Sequence, residues 1–326
     1  VIVPKIRDKD SNPSRAIEIA LPGTSANLGP AFDSAAIALS LRLTIRARRS
    51  ETFRISAHGR DTDICASDEN NLLLETYRDV LTLNGKDAQP LALEMRNEIP
   101  IGKGLGSSAA ARLAGVTLGV HYGNLRWSSR AVLAEAVRRE GHGDNAAACW
   151  FGGLVLVNPM AGDPVLAPRS AAYRVKVRGK WPLLLAVPRT PLSTQMARSV
   201  LPQTYSRPDC VANVQSALLL ASAFTLGRAD LLRDALDDRI HQPYRSALCP
   251  LLRPLQSLAG QDGIIGAVLS GAGPSVLLFL DPNKSPAAAG RRVGAFLEEC
   301  SLPAEIISTT MESRGAAARS GFSPQR

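Results

Sequence analysis

The chain has 326 residues, 45% of them hydrophobic, which is enough to bury a substantial core at a length where single cores usually divide into two domains. Its net charge of +9 comes from scattered basic residues, mostly arginine, and aromatics make up only 5%. This argues against base-stacking platforms and nucleic-acid binding, and fits an Arg-rich surface with an anionic substrate.

Five cysteines, Cys65, Cys149, Cys210, Cys249 and Cys300, lie far apart and form no C-x-x-C. Neither a disulfide framework nor a zinc site is expected, and a reducing cytoplasm fits. No run approaches the ~18 apolar residues of a membrane span, and the N-terminus lacks the charged-then-apolar pattern of a signal peptide. His58 and His121 have no neighbours of metal-ligand type at useful spacing and read as surface or turn histidines.

Residues 1–15, with Pro4 and Pro13, read as a loosely ordered arm. A strand is expected over Ala16–Ala20, running into L-P-G-T-S-A-N-L-G-P-A-F-D-S at Leu21–Ser34. Prolines and glycines make this an ordered turn that carries Thr24, Ser25, Asn27 and Asp33, suited to positioning a small polar ligand or to a plain hairpin with Asx turns. Two strands, Leu39–Arg49 and Glu51–Ala57, are expected to pair, and Asn70–Thr82 to be helical.

Alternating Leu91, Leu93 and Met95 suit a half-buried strand. It leads into E-I-P-I-G-K-G-L-G-S-S-A-A-A-R-L-A at Glu98–Ala114, where Ser107 and Ser108 can cap an alanine-rich helix over Ala109–Val120. Gly102, Gly104 and Gly106 let the backbone N–H groups close on an anion at that helix N-terminus, which favours phosphate. A flexible glycine turn is the plain alternative. Neither G-x-x-x-x-G-K-[ST] nor G-x-G-x-x-G occurs, so the common P-loop and the dinucleotide fingerprint are absent.

Ser129 can cap a further helix, which ends in R-E-G-H-G-D-N at Arg139–Asn145. Polar groups this dense before the apolar run Phe151–Val157 need partners or solvent, and Glu140 suits Mg²⁺, which takes few protein ligands beside phosphates. The Pro- and Gly-containing stretch 158–180 reads as the inter-domain region. Beyond it come a strand over Pro182–Val187, helices over Val211–Leu226 and Ala229–Ile240, strands Ile264–Leu269 and Val276–Leu280 around S-G-A-G-P-S, and a helix Pro286–Cys300. Their alternation suggests an α+β sandwich. The tail from Arg314 reads as frayed.

Together, L-P-G-T-S-A-N-L-G-P-A-F-D, P-I-G-K-G-L-G-S-S-A-A and S-G-A-G-P-S-V resemble the three motifs of the GHMP small-molecule kinases, in the same order. Within that superfamily the chain is most similar to the homoserine kinases, and its segments E-G-H-G-D-N, S-T-Q-M-A-R and H-Q-P-Y-R also resemble segments of theirs. The resemblance implies an α+β, two-domain fold: an N-terminal ribosomal-protein-S5-domain-2-like domain over 16–170 and a C-terminal ferredoxin-like α/β sandwich over 171–312, with 313–326 as tail. It implies ATP and Mg²⁺ as cofactors, L-homoserine as the phosphorylated partner in threonine biosynthesis, and a possible homodimer.

Carried over by motif position, Asn70 and the loop Pro100, Ile101, Gly102, Lys103, Gly104, Leu105, Gly106, Ser107, Ser108, Ala109 and Ala110 bind the nucleotide, with Ser107 or Ser108 and Glu140 on Mg²⁺. Asn27, Asp33, His142, Asn145, Thr194, Arg198, Arg245 and Gly271 line the amino-acid pocket. Two guanidiniums are what bidentate capture of an α-carboxylate asks for. Asp33, Lys103 and Glu140 carry the chemistry by positioning and charge stabilisation, with no general base required. Ala31, Gly143, Ala148 and Gln195 depart from the pattern, Ala31 standing where a glycine is usual.

Overall fold

The computed structural model of the protein describes residues 16–159 and 170–316. β1 (Ile17–Ala26) and β2 (Ala35–Arg49) run antiparallel along almost their whole length, with a register shift between Pro22 and Thr24. β3 (Arg54–Gly59), the short α1 (Thr62–Ala66), α2 (Leu72–Leu83) and β4 (Leu91–Asn97) follow, and β3 and β4 are parallel. After α3 (Ser107–Tyr122), α4 (Ser129–Glu140) and α5 (Asp144–Phe151), the hairpin β5 (Leu154–Pro159) and β6 (Ser170–Val175) completes a six-stranded sheet. One edge of β2 carries β1, and the other is divided between β4 and β5. Ile19, Leu21, Ile37 and Ile45 from this sheet pack with Leu113 and Val116 of α3 and Tyr77 and Val80 of α2.

The second sheet is built from β7 (Pro182–Pro188), then α6 (Thr194–Ser199), α7 (Arg207–Leu226), α8 (Ala229–Ala235), α9 (Gln242–Arg245) and α10 (Leu252–Gln256), then β8 (Ile264–Leu269), β9 (Val276–Leu280), α11 (Pro286–Glu299) and β10 (Ala304–Thr310). All its pairs are antiparallel and the order is β10-β7-β9-β8, a ferredoxin-like sandwich. Alternation along β7 decides which core each side chain joins. Leu183, Leu185 and Val187 share the core of the first sheet, whereas Leu184 and Ala186 pack with Leu252, Leu255, Val293 and Leu297 under α10 and α11. The sheets are also tied directly, by a bridge from Leu39 to Met311 and by the Arg60–Glu305 ion pair.

Several local expectations change in three dimensions. β1 continues through Pro22–Ala26, where a turn was expected, because its long antiparallel partner accommodates the irregularity at Pro22. β2 and β3 are not paired, since β4 lies between them. The turn after Glu140 covers only Gly141–Gly143. α5 then begins, unforeseen because Ala146–Trp150 are buried all round and leave no polar face to betray a helical period. β6 lies in the stretch expected to link the domains, and β10 was not foreseen. In the expected tail, Gly315 and Ala316 are buried, with Gly315 against the backbone of 150–152. The arm 1–15 lies outside the described residues. α7 is long and apolar enough by composition to cross a membrane, an exception to the expectation above, although Leu220, Ala223 and Phe224 join the core.

Candidate active site

The three glycine-bearing stretches converge on one cleft. Leu105 O accepts from Thr24 N at 3.0 Å, Gly104 O from Ser270 Oγ at 2.8 Å, and Ala26 O from Gly271 N at 3.1 Å. Asn27 holds the junction: its Nδ2 donates to Gly271 O at 2.8 Å and its Oδ1 accepts from Asp33 N at 2.9 Å. Asn27, Leu28 and Asp33 all take positive φ, and non-glycine residues hold that backbone only where surroundings enforce it.

Gly104 has φ +74, and a Cβ there would lie 2.3 Å from Ser270 O and 2.5 Å from Gly273 O, so the loop passes between residues of the second sheet's turn with no space for a side chain. Gly106, rather than a serine, is the N-cap of α3, in the left-handed region and without a side-chain cap. Ser107 and Ser108 are therefore the first helical residues. The first-turn N–H groups of this 16-residue helix have no capping side chain and face an anion-favouring dipole.

At the C-terminus of α4, Glu140 Oε2 accepts from Ser108 Oγ at 2.9 Å and ion-pairs with Arg112 Nε at 2.8 Å. A carboxylate beside a hydroxyl at a helix N-terminus is an oxygen donor set suited to Mg²⁺, which keeps several waters and needs few protein ligands. Among the described residues no group of three or more His, Cys, Asp or Glu gathers to hold a metal.

The rest of the cleft is charged. Asp33, Arg198, Arg245, His142, Asp144 and Asn145 line it together with Thr194, Gly271, Gly102 and residues 104–108 of the loop. Arg198 NH2 donates to Asp33 Oδ1 at 2.7 Å, while its Nε is buried with no partner. Arg245 is buried and donates through Nε to Ala197 O at 2.8 Å and through NH1 to His241 Nδ1 at 3.1 Å. His241 Nε2 lies 2.8 Å from Gly29 O, so the neutral ring donates there and accepts from Arg245. Burial lowers the His241 pKa to about 4 despite Asp238, in keeping with that neutral form. Phe32 lies against all three cations or potential cations: its ring is stacked 5.2 Å from His241, with Arg245 at 5.2 Å and Arg198 at 5.4 Å.

Some expected site residues lie elsewhere. Lys103 donates to Arg189 O and, with Pro100, lines an adjoining groove of about 560 Å³ containing Arg60, Asp61 and Glu305. Burial lowers its ammonium below the ordinary value and Asp61 opposes this. Ile101 N donates to Asp61 Oδ2 at 2.9 Å, Ala109 and Ala110 are buried inside α3, and Asn70 is exposed just before the N-cap of α2, apart from the cleft. Ala31 is in the core and does not line the cleft. Sequence reasoning missed Asp144, Phe32 and His241. Asp144 stood in view in G-H-G-D-N, but only its burial in α5 marks it out; burial and the charge of Asp33 push its pKa up to about 6.

A glycine loop feeding an uncapped helix, a neighbouring carboxylate and a charged cleft between an α/β domain and a ferredoxin-like sandwich define a small-molecule kinase of the GHMP type. Residues 71–153 match the GHMP kinases N terminal domain and residues 220–299 the GHMP kinases C terminal. A homoserine kinase of Solibacter usitatus is 42% identical over 80% of this chain and 84% of its own length, and that of Deinococcus radiodurans is 34% identical over 94% and 97%. The crystal structure of homoserine kinase from Cytophaga hutchinsonii superposes with a TM-score of 0.76 at 24% identity, covering 97% of this chain and 98% of that one, and so shares the fold. The chain belongs to the homoserine kinase family of GHMP kinases.

Proposed function

We propose that the protein transfers the γ-phosphoryl group of ATP to the side-chain hydroxyl of L-homoserine. The observation that carries this reading is the pairing, in one cleft, of two arginines with the uncapped N-terminus of α3. The phosphates sit at that helix end, wrapped by the loop from Gly102 to Ser108, and the groove beside Lys103 has room for the rest of the nucleotide. Arg245 and the unpartnered Nε of Arg198 receive an α-carboxylate. Asn27, Asp33, His142, Asn145, Thr194 and Gly271 shape the remainder of the amino-acid pocket.

The substrate oxygen forms a bond to the γ-phosphorus and gives up its proton to solvent, while the bond to the bridging oxygen breaks and ADP leaves. Transfer of this kind asks mainly for alignment and charge stabilisation, so a strong base is unnecessary. Glu140 with Ser107 or Ser108 would hold Mg²⁺, which supplies charge neutralisation on the phosphates. We read the protein as a cytoplasmic enzyme of threonine biosynthesis that assembles as a homodimer, which light scattering tests. The domain division that suits the two sheets falls between β6 and β7.

Coupled ADP release with Mg-ATP and a panel of L-homoserine, L-threonine, L-serine and mevalonate tests the reading. Preference for L-homoserine is expected. Preference for another alcohol would keep the phosphate site and overturn the pocket assignment, and ATP binding without turnover of any alcohol would leave a metabolite sensor.

A further inference from the structure

Lys103 stands between Gly102 and Gly104, and both glycines line the cleft, yet the lysine itself lines the adjoining groove. Asp61 and Glu305 share that groove, but the ammonium donates to a carbonyl, Arg189 O. Beside this contact Leu192 N donates to Gly102 O at 3.3 Å, and a Cβ built on Gly102 would meet Pro191 Cβ at 3.3 Å. All three contacts run from the glycine loop to residues 189–192, the turn that leads out of β7. That turn runs straight into α6, which brings Thr194 and Arg198 to the cleft.

The far end of α6 is held by Ala197 O, which accepts from Arg245, and by Arg198, which donates to Asp33. The near end is thinly packed: residues 189–196 are exposed except for the half-buried Leu192, and Ala197 is the buried residue of α6. A helix of six residues does not persist on its own backbone bonds, so the order of this segment depends on what ties it down. Of its ties to the glycine loop, the Leu192 bond is long for an N–H···O contact, whereas the lysine's is charge-assisted. We infer that Lys103 is a positioning residue that tethers the segment 189–198 to the glycine loop and so couples the nucleotide site to the amino-acid site, rather than a ligand of the phosphates. Once phosphates fix the loop, the tether orders the near end of α6 before the amino acid arrives. The two ligands then bind more tightly together than apart, and the coupling is reciprocal.

This inference rests on the homoserine reading above, and the test separates the two. Calorimetry gives the Kd of L-homoserine with and without saturating Mg-AMPPNP, a non-hydrolysable ATP analogue, and the Kd of the analogue alone, for native protein, K103M and K103R. Native protein should bind L-homoserine at least about fivefold more tightly with the nucleotide present. K103M keeps an unbranched stem and loses the donor, and its factor should fall below about two. K103R can still donate to the carbonyl and should recover most of the native factor. In K103M the Kd of the analogue alone should stay within about threefold of native, because no phosphate contact is lost. A loss of about tenfold or more in that Kd, with the coupling factor unchanged, would make Lys103 a phosphate ligand and overturn the proposal. So would a native factor near one, or the same factor in native protein and K103M. Native protein that binds the nucleotide but no L-homoserine in either state would overturn the substrate reading, and the tether's role with it.

Discussion

Arg198 and Asp33, 165 positions apart in sequence, meet at 2.7 Å across the cleft, one from α6 and the other from the turn after β1. The contact spans the two halves of the fold, and both partners are only about a third exposed. In the proposed complex Arg198 also serves the substrate carboxylate. R198A should therefore raise the KM for L-homoserine by about 30-fold or more, with a smaller change in kcat. Because Asp33 is left without its partner in R198A, the D33N/R198A double variant should be less impaired than the two single effects multiplied. Steady-state kinetics on the four proteins decides; an unchanged KM in R198A would remove it from the pocket.

Glu140 is shared between Ser108 and Arg112. If Glu140 holds Mg²⁺, Arg112 competes with the metal for Oε2. E140A should reduce kcat by at least about 100-fold, as loss of charge stabilisation at a transferring phosphoryl group does. R112A should lower the Mg²⁺ concentration needed for half-maximal activity. A Mg²⁺ titration in which R112A requires more metal than native would show that the arginine supports the site instead.

The glycine loop is held as tightly as it is shaped. An alanine at 104 would meet two carbonyl oxygens within 2.5 Å, and at 106 would meet Thr24 Oγ1 at 1.9 Å, both at positive φ. G104A and G106A should each lower stability by about 2 kcal/mol or more and raise the KM for ATP. Thermal unfolding and ATP kinetics check this. G102A is the control, since its Cβ would meet nothing closer than Pro191 Cβ at 3.3 Å; it should lose less stability than either.

How much of this was legible in the sequence depended on whether the signal was local. The order strand, loop, helix around Gly102–Gly106 and the strands Ile264–Leu269 and Val276–Leu280 follow from spacing alone, because glycine punctuation and short apolar runs act within a few residues. The pairing of β3 did not, since β4, some thirty residues later, inserts beside β2. Arg198 and Arg245 could be named from their segments. That Arg198 meets Asp33, that Asp144 is sealed within α5, and that Lys103 turns toward Arg189 are consequences of packing between distant elements, for which one sequence carries no periodic sign.

Two buried groups give the stability a testable pH dependence. Asp144 has a folded value of about 6, above its ordinary 3.8, so its contribution is fully present below pH ~4 and is lost as pH rises through 6. His241 has a folded value of about 4, below 6.5, so its contribution is present above pH ~6.5 and is lost as pH falls through 4. The two slopes oppose each other between pH 4 and 6. D144N removes the first, and its thermal midpoint should gain on that of the native protein as pH rises across this window, ending higher at pH 7. Curves that stay parallel from pH 4 to 7 would mean that Asp144 does not titrate there.

Phe32 supports the arginines without offering a polar atom. Its ring faces Arg245 at 5.2 Å and Arg198 at 5.4 Å, and stacks on His241, which in turn accepts from Arg245 NH1. Each cation–π contact is worth about 0.5–1 kcal/mol, so losing both should cost about 1–2 kcal/mol of substrate positioning. F32L keeps an apolar side chain and removes the ring face; its KM for L-homoserine should rise about 5- to 30-fold with kcat nearly unchanged. F32Y keeps the face and should remain near native. Equal KM values for F32L and native enzyme would show that hydrogen bonds alone, chiefly Ala197 O and His241 Nδ1 for Arg245 and Asp33 for Arg198, fix the guanidiniums in place.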